Sequence, residues 1–498
     1  MKTPQKDLEN FTRDHIMKSS FMNPWTLPKT MIFFITLISL PYVFYSLMLL
    51  YSSNITPNHQ HLLHTFHRSQ HIIVSPSKNS STPEKTSLKH IVFGIGASAS
   101  TWEHRKNYLK IWWRRNEMRG YVWLDKPVKN SSDDKYLPPI KISSDTSKYQ
   151  YKHAIGTRDA IRIARIVSET FRLRMKDVRW FVMGDDDTVF IPDNLVTVLS
   201  KYDHNQFYYI GYPSESHLQN LAFYYNMAFG GGGFAISYAL AKALEKTLDD
   251  CLHKYPTLYG SDERIHACVT ELGVPLTKEP GFHQFDVYGN LFGLLSAHPV
   301  APLVSLHHLD VIEPIFPNMD RVKAVQRLLV PMKIDSAALI QQSICYDKTR
   351  SWTISVSWGY AVQIYRGIVA AKEMGVPSRT FIDWNFGDED VYFSLNSRPI
   401  GNDPCHKPFL YYLSNALYNV KLNQTASEYV QHRLPNRECW WKISDPSRID
   451  RIEVYKRRDP LLWEKSPRRN CCRVSPTKKK GTMVIDVGEC REGEIIGL

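Results

Sequence analysis

No cysteine occurs in the first 250 residues of this 498-residue chain; all eight, Cys251, Cys268, Cys345, Cys405, Cys439, Cys471, Cys472 and Cys490, lie beyond them. None stand at Cys-x-x-Cys spacing, which argues against a zinc site. An even count confined to one part of the chain favours disulfides in an oxidising compartment, and Cys251 and Cys268 are close enough in sequence to be expected to pair. Charge is missing altogether from Met31 to Tyr51. No nucleic-acid module is recognisable despite a net charge of +13, and a basic surface can equally attract a nucleotide sugar or an acidic glycan. The basic clusters Arg468-Arg469 and Lys478-Lys479-Lys480 read as solvated surface.

The uncharged, apolar stretch 31–51 has about the 20 residues that a bilayer-spanning helix needs, and Pro41 within it is tolerable there. A cleaved signal peptide would begin earlier and be shorter, and no small-x-small site follows. Lys2, Lys6, Arg13, Lys18 and Lys29 precede the span, whereas Arg68 stands alone in the two dozen residues after it. The positive-inside rule then predicts a cytosolic tail (1–30), a type II anchor (31–51) and a luminal remainder, as in a Golgi membrane protein. Residues 52–89, rich in Ser, Thr, Asn, His and Pro without periodicity, read as a stem. Sequons at Asn54, Asn79, Asn130 and Asn423 agree with that topology.

What is present in the middle of the chain is more informative. Trp180-Phe181-Val182-Met183-Gly184 is an apolar run suited to a buried strand, and it ends in Asp185-Asp186-Asp187. Three adjacent like charges repel one another, and a hard divalent cation such as Mg²⁺ or Mn²⁺ removes the repulsion. The alternative is a solvated acidic turn, which would more often carry Gly, Asn or Pro beside the acids. Upstream, His90 to Ser98 reads as a strand entering a small-residue turn, with a basic helix from Trp102 to Arg115. His153 to Leu173 is an amphipathic helix with Ile155, Ala160, Ile163, Ile166, Val167 and Phe171 on one face. Its arginines 158, 162, 165 and 172 are expected mostly in solvent, with one free to reach a diphosphate. Strand, helix and strand in this order predict an α/β sheet with its ligand at the C-terminal strand ends.

Downstream, Gly230 to Gly233 allow close approach of backbone to a ligand, and we read a sugar- or acceptor-facing loop. A helix from Tyr238 to Cys251 follows. Tyr259-Gly260-Ser261-Asp262-Glu263 opens another helix, where Ser261 or Asp262 serves as N-cap or Asp262 as a general base. On the residues alone the cap has precedence. In Ser305-Leu306-His307-His308 a strand would turn one histidine inward and one outward.

The ordered set of an Asp-Asp-Asp-Thr after a strand, a Gly-Gly-x-Gly loop, an acidic pair opening a helix and a His-bearing strand resembles the Fringe-like β-1,3-glycosyltransferases of glycosyltransferase family 31. The resemblance is to their plant branch, long known as a domain of unknown function, through Gly260-Ser261-Asp262, Lys278 to Gln284, Ser305 to Asp310 and Asn470-Cys471-Cys472-Arg473. It covers about 89–317 in the transferase core and, in the plant branch, continues to the C-terminus. It implies a GT-A (Rossmann-like) fold, a UDP-sugar donor, Mn²⁺ or another divalent cation, inversion, and a glycan or glycoprotein acceptor. By position it makes Asp187 a metal ligand with His308, His307 being the fallback. It sets Asp185, Asp186, Gly231 and Gly232 toward the donor. It makes Asp262 the base, with Glu263 as fallback, and so reverses the cap-first reading.

Past Pro317 the texture changes. Period-two alternation in Ser351 to Trp358, and strand patterns in Arg448 to Tyr455 and Thr482 to Val487, predict a β-rich, disulfide-containing accessory domain over 330–498 after a transferase domain over 90–329. Of Trp352, Trp358, Trp384, Trp440 and Trp441, most are expected in the core. The competing class is a non-catalytic luminal glycan-binding protein on a transferase fold, which would have lost the acids.

Overall fold

The computed structural model describes Ser39 and residues 41–45, 84–129, 135–384, 393–401, 403–433, 439–440 and 442–496. Ser39 and 41–45 are helical. The rest of the expected span, residues 52–83 of the stem and the sequons at Asn54, Asn79 and Asn130 lie outside the described residues. Among the described residues no helix is long and apolar enough to cross a membrane. Residues 85–498 form one compact unit.

Its first sheet is mixed. Strands β1 (Ile91–Gly96), β2 (Arg119–Leu124), β3 (Ile140–Ile142) and β4 (Trp180–Asp185) are parallel neighbours in the order β3-β2-β1-β4. Beyond them lie β5 (Val189–Phe190), outside this sheet, and β6 (Tyr209–Gly211), β7 (Phe234–Ser237) and β8 (Leu276–Lys278). β7 pairs antiparallel with β4 and with β6, and β8 pairs parallel with β6. β1 and β4 are continuous apolar runs because both faces are covered. Val92, Phe181 and Met183 face one core, while Ile91, Phe93, Trp180 and Val182 face the other, the period-two alternation of a strand.

Helices α1 (Trp102–Trp112), α2 (Asp159–Arg172), α3 (Pro192–Leu199), α4 (His217–Ala222), α5 (Tyr238–Lys254) and α6 (Ser261–Glu271) connect the strands. α2 begins later than expected. Arg158 donates to the carbonyls of Thr146, Ser147 and Tyr149 and ties the preceding residues into a loop. Two of its arginines are not in solvent. Arg162 is buried against the carbonyls of Trp123 and Ala97, and buried Arg165 pairs with Glu169 and Asp249. The expected Cys251–Cys268 disulfide joins α5 to α6.

Strand β9 (Val287–Gly289) precedes β10 (Ser305–Leu306), which pairs with β5. Then come β11 (Gln342–Asp347), β12 (Trp352–Ser357), β13 (Ala361–Arg366), β14 (Phe381–Asp383), β15 (Phe409–Asn419), β16 (Gln424–His432), β17 (Arg451–Arg457), β18 (Cys471–Ser475) and β19 (Thr482–Gly488). All but β14 form an eight-stranded sheet, ordered β11-β12-β13-β15-β16-β17-β19-β18. The β-rich reading of this part is met, with Trp352 and Trp358 buried and Trp440 exposed; Trp441 lies outside the described residues. Disulfides Cys345–Cys472, Cys405–Cys439 and Cys471–Cys490 account for the remaining cysteines. One hydrophobic core runs from Phe93 and Trp180 through Leu306 to Trp358, Tyr411 and Ile485, so both sheets share it.

Candidate functional site

β4 ends at Asp185, and the chain turns at once. The Asp185 N–H donates to Thr188 Oγ1 (2.8 Å), and that hydroxyl donates to the Gly231 carbonyl (2.7 Å). The threonine thereby fixes both the triplet and its distance from the glycine loop. Asp187 and Asp186 are buried, and Asp185 is half-buried. His307 Nε2 stands 3.2 Å from Asp187 Oδ1 and 3.9 Å from Asp185 Oδ2. Its Nδ1 meets the Gln284 carbonyl at 3.3 Å, which directs Nε2 toward the acids. Asp185, Asp187 and His307 bring ligand atoms within 4.8 Å of one another, a set that suits a divalent cation.

His308, the histidine preferred from sequence, is not in that group. β10 stops at Leu306 and His308 takes a positive φ of 55°, so strand alternation does not apply. Both imidazoles lie together, 4.0 Å apart, and His308 Nδ1 lies 3.2 Å from Asp286. Asp286 also accepts from Ser214 Oγ (2.6 Å).

The glycines admit these side chains. A Cβ on Gly231 would fall 2.0 Å from the His307 ring, and one on Gly230 would fall 2.4 Å from Asp262 Oδ1. Gly231 and Gly232, expected to face the donor, are buried and back His307 and Gln284; Gly232 N–H donates to Gln284 Oε1 at 2.6 Å. Gly260, not Ser261 or Asp262, is the N-cap of α6. Asp262 is left half-buried, accepting from Ser261 Oγ (3.0 Å). Glu263 instead accepts from the Tyr259 N–H (2.8 Å). Asp185, Gly230, Ser261 and Asp262 line one recess with Gly94 and Gly96.

A residue not singled out in the sequence stands at the centre. Arg105 of α1 reaches Asp186 and Asp187 at 3.3 Å and Asp310 at 2.8 Å. The only signal for it was the basic character of α1. The cluster perturbs its own titration. Burial and the Asp187 charge push Asp186 up to about 7. Asp187 is held below the usual carboxylate range: burial opposes its charge, but His307 and Arg105 outweigh it. Burial lowers the His307 imidazole, yet Asp187 and Asp185 raise it to about 9. Burial raises Asp262 to about 6, aided by Asp185 and opposed by the Gly230 N–H. Asp186 Oδ2, Asp187 Oδ2 and Asp310 Oδ1 are buried without a hydrogen-bond donor. Arg105 Nη2 lies 3.3 Å from Asp187 Oδ2 and offsets part of this charge, and a divalent cation beside Asp187 would supply the coordination that this oxygen lacks.

A mixed α/β sheet thus carries at the end of β4 an acid–histidine group that could hold a cation, and Asp185 of that group shares a recess with the separate carboxylate of Asp262. Residues 86–291 match the sequence model described as Fringe-like, and residues 219–472 match the one described as Protein of unknown function, DUF604. The chain belongs to the latter family, whose model covers just over half of it. It is homologous to Fringe-like glycosyltransferases. It is 27% identical over 187 residues to the β-1,3-N-acetylglucosaminyltransferase lunatic fringe of Xenopus laevis (34% of this chain, 46% of the relative). It is 26% identical over 145 residues to lunatic fringe of Danio rerio (27% and 36%). The chain thus spans less than half the length of these relatives. A glycosyltransferase involved in the glycosylation of the major capsid of PBCV-1 aligns with 49% of this chain and 98% of its own, at 12% identity and a TM-score of 0.25.

Proposed function

We propose that this protein is a metal-dependent, inverting glycosyltransferase that moves a sugar from a UDP-sugar to a hydroxyl of a glycan or glycoprotein. The observation that carries this is the Asp185–Asp187–His307 group, whose Asp185 lines the same recess as Asp262. Asp185, Asp187 and His307 would hold Mn²⁺ or a similar cation, which when bound offsets charge developing on the departing diphosphate. Arg105, itself paired with Asp310, holds Asp186 and Asp187 in place. Asp262 accepts the proton of the acceptor hydroxyl. That oxygen bonds to the anomeric carbon as the bond to the UDP oxygen breaks, and UDP leaves with the electron pair. Likeness to the lunatic fringe enzymes supports a β-1,3 linkage and puts UDP-N-acetylglucosamine first among donors to test.

The uncharged segment 31–51 with lysines before it, together with four disulfides, supports a Golgi type II protein with its catalytic part in the lumen. The stem over 52–89, the transferase part over 90–329 and the β-rich part over 330–498 belong to the same proposal. A panel of UDP-sugars offered to residues 85–498, with Mn²⁺ and with EDTA, tests it. Release of UDP from one donor, lost with EDTA, is expected. No release from any UDP-hexose would leave the glycan-binding alternative.

A further inference from the structure

Beyond the Fringe-like region, a strand of the C-terminal part returns to the site. β14 pairs antiparallel with β9, setting Asp383 beside Val287 and Ile382 beside Tyr288. Buried Asp383 accepts from Ser216 Oγ (3.1 Å), and Phe393 and Ser394 bond the backbone of Ser216 and Glu215. The C-terminal end of the strand and residues 393–394 are therefore both tied to the segment that carries Ser214 and α4. Its next residue, Trp384, is half-buried and enters an aromatic stack. The Tyr288 ring lies on one side at 4.5 Å and 4°, and the His308 ring on the other at 4.6 Å and 15°. His308 in turn lies 4.0 Å from His307.

We propose that Trp384 is a positioning residue of the cation site, supplied by the C-terminal part. The proposal rests on the metal-site reading above. His308 has Asp286 and the Phe285 carbonyl at Nδ1 but no covalent or strand constraint on its ring plane. Trp384 supplies that constraint. A flat indole over the imidazole confines His308, and His308 confines the face of His307 away from Gly231. His307 Nε2 is then kept aimed at Asp187 and Asp185 before any ligand arrives. Outer groups that orient a metal-binding histidine change affinity without touching the metal. A transferase core without β14 would keep its ligands but lose this alignment.

Titrating Mn²⁺ into the full chain, with free Mn²⁺ read by electron paramagnetic resonance, tests the proposal. Trp384→Leu keeps apolar bulk so that the chain folds, and Trp384→Phe keeps a stacking ring. Trp384→Leu is expected to weaken Mn²⁺ binding about tenfold or more, and Trp384→Phe to stay within about threefold of the parent. Saturating Mn²⁺ should return UDP release by Trp384→Leu to the parent maximum, which a lesion of the fold would not allow. Unchanged Mn²⁺ affinity in Trp384→Leu, or equal weakening in both variants, overturns the role of the stack while the metal site stands. A parent chain that binds no Mn²⁺ overturns the metal-site reading itself, and this inference with it.

Discussion

Asp262 sits at the second residue of α6, where burial holds its proton to about pH 6 while the Gly230 N–H keeps the carboxylate in place. A general base acts only when deprotonated, so at saturating Mn²⁺ transfer is expected to rise with pH up to about 6 and then level off. An acid limb near pH 4 in the kcat/KM profile would show an ordinary solvated carboxylate. Asp262→Asn should lower kcat by about 10²- to 10⁴-fold, the usual worth of a positioned base, with cation binding retained. The two histidines separate in the same way. His307→Ala should lose cation binding, whereas His308→Ala should weaken it by about tenfold, as loss of an outer group does. Because His307 holds a proton up to about pH 9 in the metal-free site, its Nε2 must lose that proton to bind a cation. Cation affinity measured by calorimetry is therefore expected to climb with pH toward 9, with a proton released on binding.

At the scale of the element, β4 and its acidic end were readable because a continuous apolar run followed by three acids has few structural uses. The strands of the C-terminal sheet were readable from the alternation of apolar and polar residues; burial follows that alternation in β17 and β19, whereas β12 is buried along its whole length. Which of His307 and His308 lies beside Asp185 and Asp187 was not readable. It depends on β10 ending after two residues and on one positive φ, neither of which leaves a pattern. Arg162, Arg165 and Arg105 were hidden too, since the partners that bury an arginine lie on other elements. Pairing of Cys251 with Cys268 was accessible from their short separation of 17 residues. Replacing both by serine should cost about 2–4 kcal/mol in chemical denaturation, by releasing a loop that tethers α5 to the helix bearing Asp262.

At the scale of the molecule, the core does not stop where the composition changes. Lys456 of β17 and Asp335, both buried, pair at 2.8 Å. Lys456→Met would leave Asp335 charged and alone in the interior, and a loss of about 3–5 kcal/mol is expected in urea denaturation. A loss under 1 kcal/mol would mean that water reaches the pair. β14, which lies outside the eight-stranded sheet, pairs with β9 beside the candidate site, so the chain beyond the Fringe-like region contributes to that site in this account. The central claim is that the acid–histidine group binds UDP through a divalent cation. Calorimetric titration of UDP into the chain with Mn²⁺ or EDTA, for the parent and for Asp187→Asn, tests it most directly. The account predicts binding by the parent only with Mn²⁺, and at least tenfold weaker binding by Asp187→Asn. Equal UDP affinity in the two chains, or in EDTA and Mn²⁺, would contradict it.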